Sequence, residues 1–220
     1  QAMLREIPKH KGTDHLQAQL KSKIAKAKKE MQAEKKAGKK GRGVRIPRQG
    51  AGTAVILGGP NAGKSQLLAT LTRATPEIAP YPFTTHQPLP GMMPWQDVMV
   101  QLIDTPPITA DYLESYMYGL VRSAELVLLI VDLGADSGIE QCQDVVDRMA
   151  QTKTRLGTKT YLSEDDVGLS YTRTILAPNK IDLAGASERL ELLHELCRLE
   201  YEEYVISAKT GAGLEPLRDA

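Results

Sequence analysis

Eight consecutive residues constrain this chain more than any others. Gly58-Gly59-Pro60-Asn61-Ala62-Gly63-Lys64-Ser65 fits the pattern G-x-x-x-x-G-K-[ST], and it stands between an apolar run at 53–57 and a helical stretch at 64–73. After a strand, such glycines let the backbone curl until several N–H groups converge, and the helix that follows adds positive potential at its N-terminus. The ligand suited to this arrangement is a chain of phosphates. Lys64 is the candidate catalytic residue, because its ammonium meets the charge of the β- and γ-phosphates; Ser65 is a candidate magnesium ligand. Asn61, Ala62, Gly63, Lys64, Ser65 and Gln66 form the candidate phosphate-side contacts. The loop alone does not choose between ATP and GTP.

An alternation follows from this start. Apolar, strand-like runs fall at 53–57, 98–103, 126–131, 174–178 and 204–207, and helical stretches at 64–73, 112–122, 139–155 and 187–200. A further helix is expected after Gly213. Continuous apolar strands separated by helices imply an α/β fold, with a mainly parallel sheet covered by helices. Ligands of such sheets bind beyond the carboxyl ends of the strands, and each remaining motif follows one of these runs.

Asn179-Lys180-Ile181-Asp182 comes at the end of the 174–178 run, about 115 residues after Lys64. A carboxylate at Asp182 can accept from the guanine N1–H and its exocyclic amine, whereas adenine has an acceptor at N1 and no amine beside it. Asn179 can reach the other edge of the base, and the Lys180 stem can lie over its face. Ser207-Ala208-Lys209 follows the last run and supplies backbone N–H groups for the guanine O6. Asp104 follows the 98–103 run and can hold magnesium through a water. Phe83-Thr84-Thr85 lies between the loop and that run, where a threonine hydroxyl can complete the magnesium shell in the presence of a γ-phosphate. This order of motifs implies a P-loop GTPase fold, the Ras-like G domain.

The first 50 residues differ in kind. They carry 15 Lys/Arg against 4 Asp/Glu, whereas residues 51–220 carry 13 against 23. Two domains are therefore expected: a basic segment at 1–50 and a GTPase domain at 51–220. No Gly or Pro interrupts 13–37, and Leu16, Leu20, Ile24, Ala27 and Met31 mark one stripe of a helix surrounded by lysines. A Gly- and Arg-rich linker is expected at 38–52. Such a helix can dock on the acidic domain, or bind RNA phosphates in a salt-sensitive way; the two are compatible. The longest apolar run, 126–131, is far short of the roughly 20 residues that span a bilayer. Cys142 and Cys197 lack metal-ligand spacing and are expected to be reduced thiols.

These residues resemble the Obg and developmentally-regulated-GTP-binding family of translation-factor-class GTPases. The resemblance rests on Tyr81-Pro82-Phe83-Thr84-Thr85 followed by Pro88 and Gly91, and extends to the basic helix before the domain. It implies cytoplasmic GTP hydrolysis linked to ribosomes or translation, with Thr85 rather than Thr84 as the magnesium ligand. Members often carry a C-terminal TGS domain, so the chain is expected to stop short of one. Asn61 occupies the loop position at which potassium-activated relatives carry an asparagine, which implies potassium as a second cation. Two departures stand out. The family's D-x-x-G is here Asp104-Thr105-Pro106-Pro107, and Pro107 has no N–H to offer a γ-phosphate. Ile108 stands where Ras-like proteins carry a water-positioning glutamine. The expectation is a slow GTPase switch using magnesium. The alternatives are a nucleotide-dependent binding module with negligible turnover, a basic arm acting as the main RNA-binding element, and, against Asp182, an ATP-using P-loop kinase.

Overall fold

The structure, a computed structural model, describes residues 46–72, 88–162 and 167–220. The basic helix expected within 1–50 and the Phe83-Thr84-Thr85 segment lie outside the described residues. The compact unit that is described runs Ile46–Ala220.

Its strands are β1 (Gly52–Gly58), β2 (Leu89–Trp95), β3 (Val98–Asp104), β4 (Leu126–Asp132), β5 (Thr154–Gly157), β6 (Tyr161–Leu162), β7 (Ser170–Asn179) and β8 (Glu202–Glu203). The helices are α1 (Lys64–Thr72), α2 (Met117–Ser123), α3 (Ser137–Ala150), α4 (Ala186–Cys197) and α5 (Leu214–Asp219). The sheet order is β2-β3-β1-β4-β7-β5, with β6 and β8 also paired to β7. Strands β3, β1, β4 and β7 are parallel, while β2 and β6 are antiparallel. The register is tight at the centre: Val55 lies opposite Ile103 on one side and Val127 on the other, and Leu129 opposite Leu176.

Strand periodicity of two sorts the core into two layers. Val55, Leu57, Ile103, Val127, Leu129 and Val131 face one side and pack with Met117, Val121, Ile139, Val145 and Met149 from α2 and α3. Ala54, Ile56, Leu102, Leu128 and Ile130 face the other, against Leu67 and Leu71 of α1 and Leu214 and Leu217 of α5. Burying one such side chain contributes about 1.5–3 kcal/mol. Because both faces are covered, the strands read as unbroken apolar runs, which is why four of them were visible without a structure.

Several expected boundaries are corrected. The helix expected at 112–122 begins only at Met117, because Thr109 and Tyr112 exchange backbone hydrogen bonds and close a turn first. The helix expected at 139–155 begins at Ser137 and stops at Ala150. There the Thr152 hydroxyl donates to the Met149 carbonyl (2.9 Å) and accepts from the Thr154 N–H (2.9 Å). This local side-chain bonding competes with further helix, and the chain turns into β5 beside the start of β7. The helix expected at 187–200 ends at Cys197, with Arg198 in a left-handed conformation (φ 42°). The last strand is assigned at Glu202–Glu203 rather than 204–207, although Tyr204 N–H and Ile206 N–H still bond to β7, at Leu176 O and Pro178 O. Strand β2 was not expected at all. It carries Pro90 and Pro94, which an edge strand tolerates when those positions turn away from its neighbour.

The sheet unit also takes in residues before position 51. Gly50 bridges to Val100, Ala51 N–H donates to Met99 O (2.8 Å), Gln101 Nε2 donates to Pro47 O (3.1 Å), and Ile46 packs on the core. Among the described residues, no helix is long and apolar enough to cross a membrane.

Candidate nucleotide-binding site

The carboxyl ends of β1, β3, β4 and β7 converge with the segment after β8, and those singled-out residues that lie among the described ones stand on or just after these ends. The phosphate loop leaves β1 at Gly58 and enters α1 at Lys64. Its curl uses left-handed backbone at Asn61 (φ 58°) and Gly63 (φ 95°). Gly63 is needed twice over, since a Cβ there would also lie 2.3 Å from Asn179 Nδ2.

Lys64 is 7% exposed, and its ammonium donates to the carbonyls of Gly58 (3.0 Å) and Gly59 (2.7 Å). The side chain therefore arches back across the loop it follows. Burial lowers its pKa, with the Asp104 charge opposing the shift. Ser65 Oγ donates to Asp104 Oδ2 at 2.5 Å, which joins the start of α1 to the end of β3. Asp104 is 9% exposed, and its second oxygen, Oδ1, is buried without a protein partner. Burial raises its pKa, while Ser65, Lys64 and the Thr105 backbone lower it. A buried carboxylate oxygen in want of a partner, beside a serine hydroxyl, is a donor set that fits a hard, oxygen-seeking divalent cation.

The opposite wall is built around Asn179, which is 2% exposed. Its Nδ2 donates to Ala62 O (2.9 Å) in the phosphate loop, and its Oδ1 accepts from Ala208 N–H (2.9 Å). One amide thus ties β7 to two loops far apart in sequence. Asp182 Oδ1 accepts from Ser207 Oγ (2.6 Å), and Ser207 Oγ in turn accepts from Thr210 N–H (3.1 Å). Lys180 takes a left-handed conformation (φ 73°) and forms an ion pair with Asp132 at the end of β4 (2.6 Å). Asp132 also accepts from Gly134 N–H (2.7 Å), so the Lys180 stem is held in one direction. Lys209 is exposed beside Ala208. Gln66 is the outlier of the set: its side-chain amide donates along α1 to Thr70 Oγ1 (3.3 Å) rather than toward the loop.

The role of Asp132 was missed in the sequence. The signal available for it was its position, an acidic residue closing an apolar strand next to the one that bears Asn179. The Thr105 contact was also missed: its hydroxyl donates to Ile56 O at 2.6 Å.

Comparison with known proteins agrees with this arrangement. Residues 53–162 match the family described as 50S ribosome-binding GTPase. The chain belongs to that family. Among curated members of related families, it is 33% identical over 147 residues to Developmentally-regulated G-protein 1 of Arabidopsis thaliana, covering 64% of this chain and 37% of that protein. It is 35% identical over 170 residues to GTPase Obg of Thermoanaerobacter sp. (strain X514), covering 74% of this chain and 38% of that one. The family chain thus spans less than two fifths of the length of these relatives. In fold it is similar to the G domain of the FeoB iron transporter of T. maritima, with a TM-score of 0.52, 24% identity, and 76% of this chain and 94% of that one covered. The resemblance to Obg and developmentally regulated G-proteins is therefore shown, as is the P-loop GTPase fold.

Proposed function

We propose that this chain binds GTP together with magnesium and hydrolyses it slowly, as a switch connected with the ribosome. The observation that carries the proposal is the pair of hydrogen bonds by which Asn179 donates to Ala62 O and accepts from Ala208 N–H. It joins a phosphate loop to a guanine-reading pair, Asp182 and the 207–209 backbone, within one rigid frame. Family membership supports hydrolysis as the activity, and the family's description supports a ribosomal partner.

In this proposal the phosphate-side contacts are Asn61, Ala62, Gly63, Lys64, Ser65 and Gln66, and the base contacts are Asn179, Lys180, Asp182, Ser207, Ala208 and Lys209. Lys64 exchanges its two carbonyl partners for phosphate oxygens, so its positive charge is oriented before the ligand arrives. Ser65, Asp104 through a water, and Thr85 would hold magnesium, with Phe83 and Thr84 flanking. When bound, the metal supplies positive charge to the phosphate oxygens. Ile108, with an apolar side chain, orients no water, and no residue is assigned as general base; hydrolysis is accordingly slow. Asn61 is the proposed potassium ligand; its left-handed backbone also serves the loop's curl. The 1–50 segment is the proposed ribosome or RNA contact, and the cytoplasm the proposed location.

A second reading, a nucleotide-dependent binding module with negligible turnover, is favoured by Pro107 and Ile108. Phosphate release under multiple turnover separates the two. Steady release from GTP, quickened by ribosomes, supports the switch; a single bound GTP that outlasts the assay supports the module. Ribosome binding by a chain lacking residues 1–45 that equals that of the full chain at both low and high salt rules the basic segment out as the contact.

A further inference from the structure

Residues 105–113 follow Asp104, where a GTPase of this class would meet the third phosphate with a backbone N–H. From 105 to 109 the donors can be accounted for one by one. Thr105 N–H helps to hold the Asp104 pKa down. Pro106 and Pro107 have none. Ile108 N–H donates to Gly58 O at 3.3 Å, and Thr109 N–H to Tyr112 O at 3.1 Å. From 106 to 109, every N–H that exists is already bonded within the protein.

The segment is also anchored. Ile108 is 1% exposed and packs in the core layer with Val55, Leu57 and Met117. The Thr105 hydroxyl is bonded to Ile56 O, so β1 holds the segment at both Thr105 and Ile108. Arg148 of α3 donates to Asp111 O (3.2 Å), and Leu113 and Tyr116 lie against the same core. There is no glycine from Asp104 to Tyr118 to serve as a hinge.

We infer that residues 105–109 are a fixed wall of the site rather than a moving switch, and that GTP is told from GDP without them. This rests on the nucleotide-binding reading above and goes beyond it. It leaves γ-phosphate recognition to the phosphate loop, Lys64 and the magnesium ligands. Freeing the Ile108 donor would require withdrawing its side chain from the core together with its bond to Gly58.

Hydrogen–deuterium exchange on the full chain tests this, with magnesium and either GDP or a non-hydrolysable GTP analogue. Peptides covering 105–113 should exchange within about twofold of each other in the two states, while the start of α1 at 64–67 is slowed by both nucleotides relative to none. A difference of about fivefold or more across 105–113, with 64–67 slowed by both, overturns this inference and leaves nucleotide binding standing. No slowing at 64–67 overturns both. Ile108→Ala, by removing the buried anchor, should speed exchange of 105–113 by about tenfold or more in either state. Should that variant not fold, Thr105→Val removes the second anchor at similar volume and should speed the same peptide several-fold. Unchanged exchange in a folded variant counts against the anchoring.

Discussion

The two ends of the site are built on different principles. At the proposed base end, Asn179, Lys180, Asp182 and Ser207 are held by side-chain bonds from neighbouring strand ends and loops, and Asp182 keeps one oxygen outside its bond to Ser207. At the phosphate end the loop itself is complete, but the stretch after Asp104 has two prolines and a buried isoleucine whose N–H is bonded to Gly58 O. The first end is prepared to receive a ligand; at the second, positions 106–109 have no donor to offer. On the proposed reading, selectivity for the base and sensing of the third phosphate are separable properties of this fold. A chain can keep one while rebuilding the other.

The largest effect should come from the residue both ends depend on. Lys64→Ala should weaken GDP and GTP binding by at least about a hundredfold, because a buried ammonium facing phosphate charge is lost. Its two carbonyl partners belong to the loop, so the domain should stay folded; isothermal titration and circular dichroism on the same sample check both. Wild-type affinity in a folded variant breaks the phosphate-loop half of the comparison.

Asp182→Asn comes next. Each charge-assisted bond to the base is worth about 1.5–3 kcal/mol, so GTP affinity should fall about ten- to a hundredfold. Xanthine nucleotides, which carry an oxygen in place of the amine, should gain relative to GTP. A variant that keeps its GTP-over-XTP ratio removes Asp182 from the base end.

A smaller effect is expected from the cation proposed at Asn61. Turnover in potassium chloride should exceed that in sodium chloride by a few-fold, on the scale of one weak electrostatic contact to developing charge. Asn61→Ala should remove the difference. Equal rates in the two salts, or a potassium effect that survives the substitution, leave Asn61 with a loop-shaping role only.

The smallest effect concerns Asp104. Its burial outweighs its partners, and Oδ1 has none. Asp104→Asn should therefore stabilise the ligand-free domain by about 1 kcal/mol. The same change should weaken magnesium-dependent nucleotide binding. A lower melting temperature for the ligand-free variant would mean that the carboxylate is held for stability rather than for a metal.

Much of this was legible beforehand, for a physical reason. Strands buried on both faces, such as β1, β4 and β7, announce themselves as apolar runs, and a motif at a strand's carboxyl end inherits its place from the fold. What stayed hidden depended on partners distant in sequence. Strand β2, with Pro90, Gly91 and Pro94, has poor strand propensity and exists because β3 pairs with it along its whole length. The end of α3 was set by the Thr152 hydroxyl, not by periodicity. The absent N–H at Pro107 could be read directly, but the burial of Ile108 and its bond to Gly58 could not. The same holds for Asp132, whose importance appears only once Lys180 is seen to reach it.

The central claim, a site selective for guanine nucleotides, is tested most directly by competition. Labelled GDP bound to the chain in magnesium buffer is displaced by GTP or by ATP, and the two half-effective concentrations are compared. With Asp182 in its proposed role, accepting from two guanine groups that adenine lacks, GTP should compete at least about a hundredfold better than ATP. Displacement by ATP at concentrations equal to GTP would contradict the account.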